Sequence, residues 1–227
     1  MRMIPFSQLP ESMQTQEVRP YYDILKSKSK SLILKRILDF VAAFFLMILL
    51  LLPMLIIAVA IKCSSKGPVI YKQVRVTTYG KHFKIWKFRT MKVGSDALGE
   101  LTCSDDDRVT GIGRFLRKYR LDELPQIFHV LSGKMSIVGT RPEVPRYVEK
   151  YTPEMMATLL MPAGVTSLAS IMFKDEAELL EKSSDVDKEY IEVILPQKME
   201  YNLKYISRFS FKRDIYLIFK TVVEVFR

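Results

Sequence analysis

Cysteine and histidine are nearly missing from this sequence. Cys63 and Cys103 are its only cysteines and His82 and His129 its only histidines, with no CxxC pair. So sparse a set argues against a disulfide framework or a zinc site and suits a reducing compartment. No cleavable secretory signal is expected either: the apolar run begins only near Phe40, and no small-residue cleavage site follows it. Acidic residues are in deficit, 25 Asp and Glu against 35 Lys and Arg, for a net charge of +10. That balance expects an anionic partner (phospholipid head groups, nucleic acid or a phosphorylated substrate) or else a basic surface kept for solubility. A hydrophobic share of 48% excludes a disordered polymer, and 227 residues suffice for one compact domain with accessories. Residues 1–30 carry Pro5, Pro10 and Pro20 with little periodicity and read as a loosely ordered lead-in.

Charge is absent from Phe40 to Ile61. About 20 apolar residues cross a bilayer, so this run predicts a membrane segment. Pro53 interrupts it, removing one backbone donor and clashing with the preceding turn. Phe40 to Leu52 is only about 20 Å of helix, too short to span alone. Cations flank both sides: Lys26, Lys28, Lys30, Lys35 and Arg36 before it, Lys62 and Lys66 after it. Such symmetry suits a re-entrant hairpin over 31–66, broken at Pro53, with both ends on the cytoplasmic face. A kinked spanning helix is the alternative.

Residues 67–227 form the body. Val69-Ile70-Tyr71 and Val74-Arg75-Val76, then Thr77-Thr78-Tyr79-Gly80, then the alternating His82-Phe83-Lys84-Ile85, predict a β-hairpin that delivers Lys87, Arg89 and Lys92 into a polar, acidic loop running through Asp105-Asp106-Asp107. Ile112, Phe115, Leu116 and Tyr119 make one helical stripe. Leu124, Ile127, Phe128 and Leu131 make a second, stopped by Gly133. Between them Asp122 is expected as an N-cap and Glu123 in the first turn, facing Arg114, Arg117, Lys118 and Arg120. Carboxylates so placed are favoured in the ionised form a nucleophile needs. A pair of them can hold Mg²⁺ alongside substrate phosphates, and arginine forks match phosphoryl oxygens. Ordinary helix capping explains the same Asp-Glu pair.

Arg141 is expected in a turn over Gly139–Pro142, and Pro162–Ser167 as a tight loop. Asp175–Glu192 reads as a solvated acidic helix. At the C-terminus Ile215, Ile218, Phe219 and Val222, with Lys212, Arg213, Lys220 and Arg227 nearby, predict a basic amphipathic helix for the membrane surface or for the body. The fold expected is α+β and mainly helical: a re-entrant membrane helix-break-helix, a short β-hairpin, and a cytoplasmic helical body with interfacial amphipathic helices.

The order of these segments resembles the bacterial sugar transferases, or monotopic phosphoglycosyl transferases. The matching residues are Lys35-Arg36 and Asp39; Gly67-Pro68-Val69-Ile70-Tyr71 with Gln73 and Arg75; Gly80-Lys81; and Lys87-Phe88-Arg89-Thr90-Met91. Asp107-Arg108 with Thr110, Leu121-Asp122-Glu123-Leu124-Pro125-Gln126, Val130-Leu131, Gly133, Met135-Ser136, Val138-Gly139 and Arg141-Pro142 complete the set. It departs from the family at Leu52 (usually Ser), Thr77 (Gly), His129 (Asn), Thr140 (Pro) and in Pro162–Ser167; none of these touches the acidic pair.

The resemblance implies a two-step transfer at the cytoplasmic face of a bacterial inner membrane, beginning the assembly of capsule, exopolysaccharide, O-antigen or glycoprotein glycans. Asp122 would attack the β-phosphate of a UDP-sugar and release UMP. A polyprenol phosphate, such as undecaprenyl phosphate, would then take the phosphosugar. Glu123 would bind Mg²⁺, and Lys87, Arg89, Arg117 and Arg141 the substrate phosphates. Membrane phospholipids and downstream glycosyltransferases are the further partners implied. Two other readings compete. A membrane-anchored, non-catalytic protein with a basic lipid-facing surface explains the charge but not Asp122-Glu123 beside arginines. Nucleic-acid binding through a helix-turn-helix is disfavoured, because acids at the head of the second helix repel phosphate.

Overall fold

The computed structural model describes residues 1, 3–95, 106–174, 176–181, 183 and 185–225. Cys103, Asp105, Asp175 and Arg227 lie outside the described residues. The chain is mainly helical, with two small two-stranded sheets.

Its longest element follows from the charge-free run. Helix α2 spans Ser29–Ser64, roughly 54 Å at 1.5 Å per residue. It is long and apolar enough to cross a membrane, with a mean hydropathy of 3.1 over its most apolar part. The expected break at Pro53 is not there. Helical structure continues through Pro53, which sits on the exposed side. Proline removes a single donor while the turns on either side keep theirs, so the rest of the helix carries it.

One stripe of α2 packs on the body: Leu32, Lys35, Asp39, Ala43, Met54 and Ile61 are buried at helical spacing. The remaining faces stay bare, with Phe45, Leu49, Leu52 and Leu55 all more than 60% exposed. Polar anchors fix both ends of α2 to one body. Arg36 donates to the Val130 and Leu131 carbonyls at 2.6 and 2.9 Å. Asp39 accepts from Ser136 Oγ at 2.7 Å and Ile137 N at 3.1 Å. At the far end Arg89 donates to Ser65 O and Oγ, both at 2.8 Å, and to Pro68 O at 2.5 Å.

Residues 1–28 are not a loose lead-in. Pro5 and Pro10 precede 3₁₀ turns at Phe6–Gln8 and Glu11–Met13, and Pro20 opens α1 (Arg19–Ser27). A proline φ suits the first turn of a helix, so prolines that suggest disorder here start helices instead. Leu9, Met13, Val18, Tyr22 and Leu25 are essentially inaccessible, packed with Val138, Leu160, Tyr205, Phe209 and Leu217. Each such side chain contributes about 1.5–3 kcal/mol by leaving water.

The predicted hairpin is present. β1 (Ile70–Val76) pairs antiparallel with β2 (His82–Phe88) in a register running from Ile70 opposite Phe88 to Val76 opposite His82. Helix α3 (Gly111–Lys118) is capped by Thr110, whose Oγ1 accepts from Gly113 N at 3.1 Å. Its stripe is narrower than expected. Leu116 is buried, whereas Phe115 and Tyr119 are exposed and pair with each other at 5.1 Å. A 3₁₀ turn, Leu121–Gln126, leads into α4 (Ile127–Leu131), which Gly133 ends at φ 79°. That glycine also leaves room for the Arg36 guanidinium.

Sequence patterning misses the second sheet. β3 (Met135–Val138) runs parallel to β4 (Ala163–Thr166), which replaces the expected tight loop. Gly164 makes it possible: its N donates to Thr140 O at 2.8 Å, and a side chain there would collide with Gly139. Helices α5 (Pro145–Val148) and α6 (Leu168–Met172) and the 3₁₀ turn Met155–Leu160 flank this sheet in the chain.

The acidic stretch forms α7 (Glu176–Glu181) and α8 (Val186–Glu189). It is only partly a solvated face, because Leu180 and Tyr190 are buried against Val144 and Tyr147. A π-helical turn, Tyr190–Ile194, feeds α9 (Leu195–Ser207). The C-terminal α10 (Phe211–Val225) buries Asp214 and Leu217 on the body, while Tyr216, Phe219, Val222 and Val223 point outward, 52–69% exposed.

Candidate active site

Strand alternation places Lys87. In β2 Phe88 is buried with Ile61 and Leu116, so its neighbour Lys87 projects from the opposite face. Just beyond β2, Thr90 Oγ1 accepts from Arg117 Nε at 2.9 Å and holds that side chain in place. The acids arrive through a turn. Arg120 adopts φ 54° and ψ 22°, ending α3 in the left-handed region at a cost of about 1 kcal/mol. The following 3₁₀ turn carries Asp122 and Glu123 inward, each 8% exposed. Arg120, not Asp122, is therefore the N-cap. Arg141 enters from the segment after β3.

Glu123 is clamped. Lys87 Nζ lies 3.0 Å from Oε1, Arg141 Nη1 lies 3.1 Å from Oε2, and Arg141 Nη2 also reaches Oε1. The Arg141 contact is the two-pronged kind that guanidinium and carboxylate form best. Asp122 differs: among the described residues no donor hydrogen-bonds its carboxyl, although Lys87, Arg117 and Arg141 all act on its charge. A nucleophile needs lone pairs that are not already committed.

The two carboxyls titrate apart. Burial raises Glu123, but Arg141 and Lys87 outweigh it and hold the group well below the ordinary range. Burial pushes Asp122 above its ordinary value; Lys87 pulls it back, and the Glu123 charge lifts it again. The sequence expects both acids to favour ionisation, whereas the folded chain favours it only at Glu123. Burial lowers Lys87, with Glu123 opposing. Nearby, His129 is pushed down to about 4 by burial and by Lys134, and its neutral Nε2 accepts the Trp86 amide at 3.1 Å.

Lys87, Arg117, Asp122, Glu123 and Arg141 line a cavity of about 1070 Å³. Its wall carries Lys72, Arg75, Lys87, Arg117, Arg120 and Arg141 around the acidic pair, an excess of positive charge suited to a polyanion. Of the residues expected from sequence, Lys87, Arg117, Asp122, Glu123 and Arg141 converge. Arg89 also borders the cavity, but its guanidinium is spent on Ser65 and Pro68 at the end of α2. Among the described residues no cluster of three or more His, Cys, Asp or Glu could hold a metal. Two adjacent carboxylates are the kind of pair that holds a hard cation whose other ligands come from substrate phosphates, but here both Glu123 oxygens are taken by Lys87 and Arg141.

Sequence reasoning missed the opposite wall, where Glu143, Glu176, Tyr190 and Lys198 meet. Only a chain fold brings together residues so far apart. It also missed Thr90 as the partner of Arg117.

The family described as bacterial sugar transferase matches residues 30–227. The chain belongs to this family. Similar bacterial sugar transferases include the UDP-glucose:undecaprenyl-phosphate glucose-1-phosphate transferase of Klebsiella pneumoniae, 39% identical over 202 residues, covering 86% of this chain and 41% of that protein. The protein of the same name from Escherichia coli strain K12 is 38% identical over 221 residues, 95% of this chain and 45% of the relative. The UDP-N-acetylgalactosamine-undecaprenyl-phosphate N-acetylgalactosaminephosphotransferase of Aeromonas hydrophila is 36% identical over 193 residues, 83% of this chain. The chain spans less than half the length of these relatives.

Proposed function

We propose that this chain transfers a phosphosugar from a UDP-sugar to a polyprenol phosphate, with Asp122 as nucleophile. The observation that carries the reading is the division of labour in the acidic pair. Glu123 is saturated by Arg141 and Lys87, while Asp122 is buried, uncommitted and beside Arg117 at the wall of a cationic cavity. The activities for which the relatives are named, on UDP-sugars and undecaprenyl phosphate, point the same way.

A carboxylate oxygen of Asp122 attacks the β-phosphorus, the bond from that phosphorus to the bridging oxygen breaks, and UMP leaves with the electron pair. An aspartyl-phosphosugar results. An oxygen of the polyprenol phosphate then attacks the same phosphorus, the acyl-phosphate bond breaks, and the Asp122 carboxylate is restored. Arg117, Arg141 and Lys87 neutralise phosphoryl charge, which is most of what such transfers require. Mg²⁺ held by Glu123 beside Asp122 would supply further neutralisation of the diphosphate. Splitting the reaction lets a soluble donor and a lipid acceptor occupy one cavity in turn.

The membrane geometry belongs to the same reading. A helix fixed to one body near both ends, with a bare apolar face between, suits an α2 that enters the cytoplasmic leaflet of a bacterial inner membrane and returns; Pro53, where a backbone donor is already missing, is where the unbroken helix would have to bend to do so. The exposed apolar faces of α10 and of Phe115 suit the lipid interface.

Asp122→Asn tests the reaction. In detergent-solubilised protein with Mg²⁺ and a panel of UDP-sugars, UMP release should fall to background, and mass spectrometry of the unaltered chain should find a phosphosugar on Asp122. Undiminished release removes Asp122 from that role.

A further inference from the structure

The far wall of the cavity holds a second ionic group that the reaction above leaves unused. Glu143 follows Arg141-Pro142 and has only 7% of its surface exposed. Tyr190 Oη donates to Glu143 Oε1 at 2.6 Å. Lys198 Nζ reaches that same oxygen at 3.4 Å, Tyr190 Oη at 2.9 Å and Glu176 Oε2 at 3.1 Å. Arg75 stands on the other side, its Nη1 3.9 Å from Glu143 Oε2, beyond hydrogen-bond reach. Arg75 spends its hydrogen bonds on Gln73 Oε1 and Pro142 O.

The donors in this group are taken: Lys198 serves three acceptors and Tyr190 serves one. The acceptors are not. Among the described residues no donor hydrogen-bonds Glu143 Oε2 or Glu176 Oε1, and both side chains line the cavity. Carboxylate oxygens fixed in place with lone pairs to spare bind neutral hydroxyl donors well and repel phosphate. The phosphate end is already furnished by Arg117, Arg141 and Lys87. Phe173, only partly buried, borders the same wall and offers an apolar surface on which a pyranose ring can lie.

Resting on the sugar-phosphate transfer proposed above, we infer that Glu143 and Glu176, braced by Lys198 and Tyr190, hydrogen-bond the hydroxyls of the sugar carried on the diphosphate and decide which sugar is accepted. A wall built to bond a hydroxyl discriminates strongly against a sugar that misplaces it, since the carboxylate is then left without a donor.

The test measures kcat/KM for UMP release from UDP-glucose, UDP-galactose, UDP-N-acetylglucosamine and UDP-N-acetylgalactosamine, with the full chain and with Glu143→Gln and Glu176→Gln. Inhibition by UMP is measured alongside. The ratio between the best and second-best sugar should change by about tenfold or more, with the inhibition constant of UMP unaltered. Loss by one common factor for all four sugars makes the group a structural brace and overturns the inference. So does weakened UMP inhibition, which would assign the wall to the nucleotide. Should Glu143→Gln fail to fold, the more exposed Glu176→Gln decides alone. A wild-type chain that releases UMP from none of the four sinks the transfer reaction itself and this inference with it; unchanged ranking in an active enzyme sinks the inference only.

Discussion

The Asp122 carboxyl is held above its ordinary pKa by burial, against the pull of Lys87. A raised carboxyl is a stability cost that the folded chain carries only when the group is ionised. The unfolded chain loses this proton near pH 4 and the folded chain at higher pH. Between those values the folded state holds more protons, and stability falls as pH rises. In EDTA, Asp122→Asn should therefore match the parent Tm near pH 4 and exceed it above that, by a margin that levels off once the folded parent has also lost the proton, while UMP release is lost. Equal melting temperatures at pH 7 would mean that the site does not strain Asp122. Glu123 has the opposite sign, since Arg141 and Lys87 hold it low. Its contribution is present at neutral pH and disappears on acidification through its depressed folded value.

Secondary structure was legible where local pattern decides it. The charge-free run gave α2, and β-branched alternation with Thr78-Tyr79-Gly80 gave the β1–β2 hairpin. Elements fixed by distant partners were not. β3 and β4 have four residues each, too short for periodicity, and their pairing depends on the close approach of Gly139 and Gly164. The N-terminal prolines looked like disorder because their helix-starting use depends on a core that the segment itself completes. In the site, Asp122, Glu123 and Arg141 announced themselves through motif and charge. The bond from Tyr190 to Glu143 joins residues 47 positions apart and leaves no local trace. If the N-terminal segment is structural, Leu25→Ala should destabilise the chain by about 2–5 kcal/mol, read as a fall in denaturation midpoint in detergent. A midpoint unchanged from the parent would return residues 1–28 to the status of an appendage.

At the scale of the whole molecule, charge and apolar surface are segregated. The cationic cavity gathers Lys72, Arg75, Lys87, Arg117, Arg120 and Arg141, whereas bare apolar side chains lie along α2 and α10. Cys63 is free and exposed beside the distal end of α2 and provides a native label. In a Cys103→Ser background, an impermeant thiol reagent should find Cys63 and an introduced Lys30→Cys from the same side of sealed membrane vesicles. Labelling from opposite sides would make α2 a crossing helix and displace the re-entrant geometry.

The anchoring of Arg36 to the Val130 and Leu131 carbonyls and of Ser65 to Arg89 therefore reaches beyond topology. If α2 enters and leaves one leaflet as proposed, both its feet stay planted on the same body at the same face of the bilayer. A lipid-linked sugar made by the proposed transfer would then stay in the leaflet where the acceptor was met, head group toward the cell interior. On that reading, turning the product over to the other leaflet would be work for separate machinery.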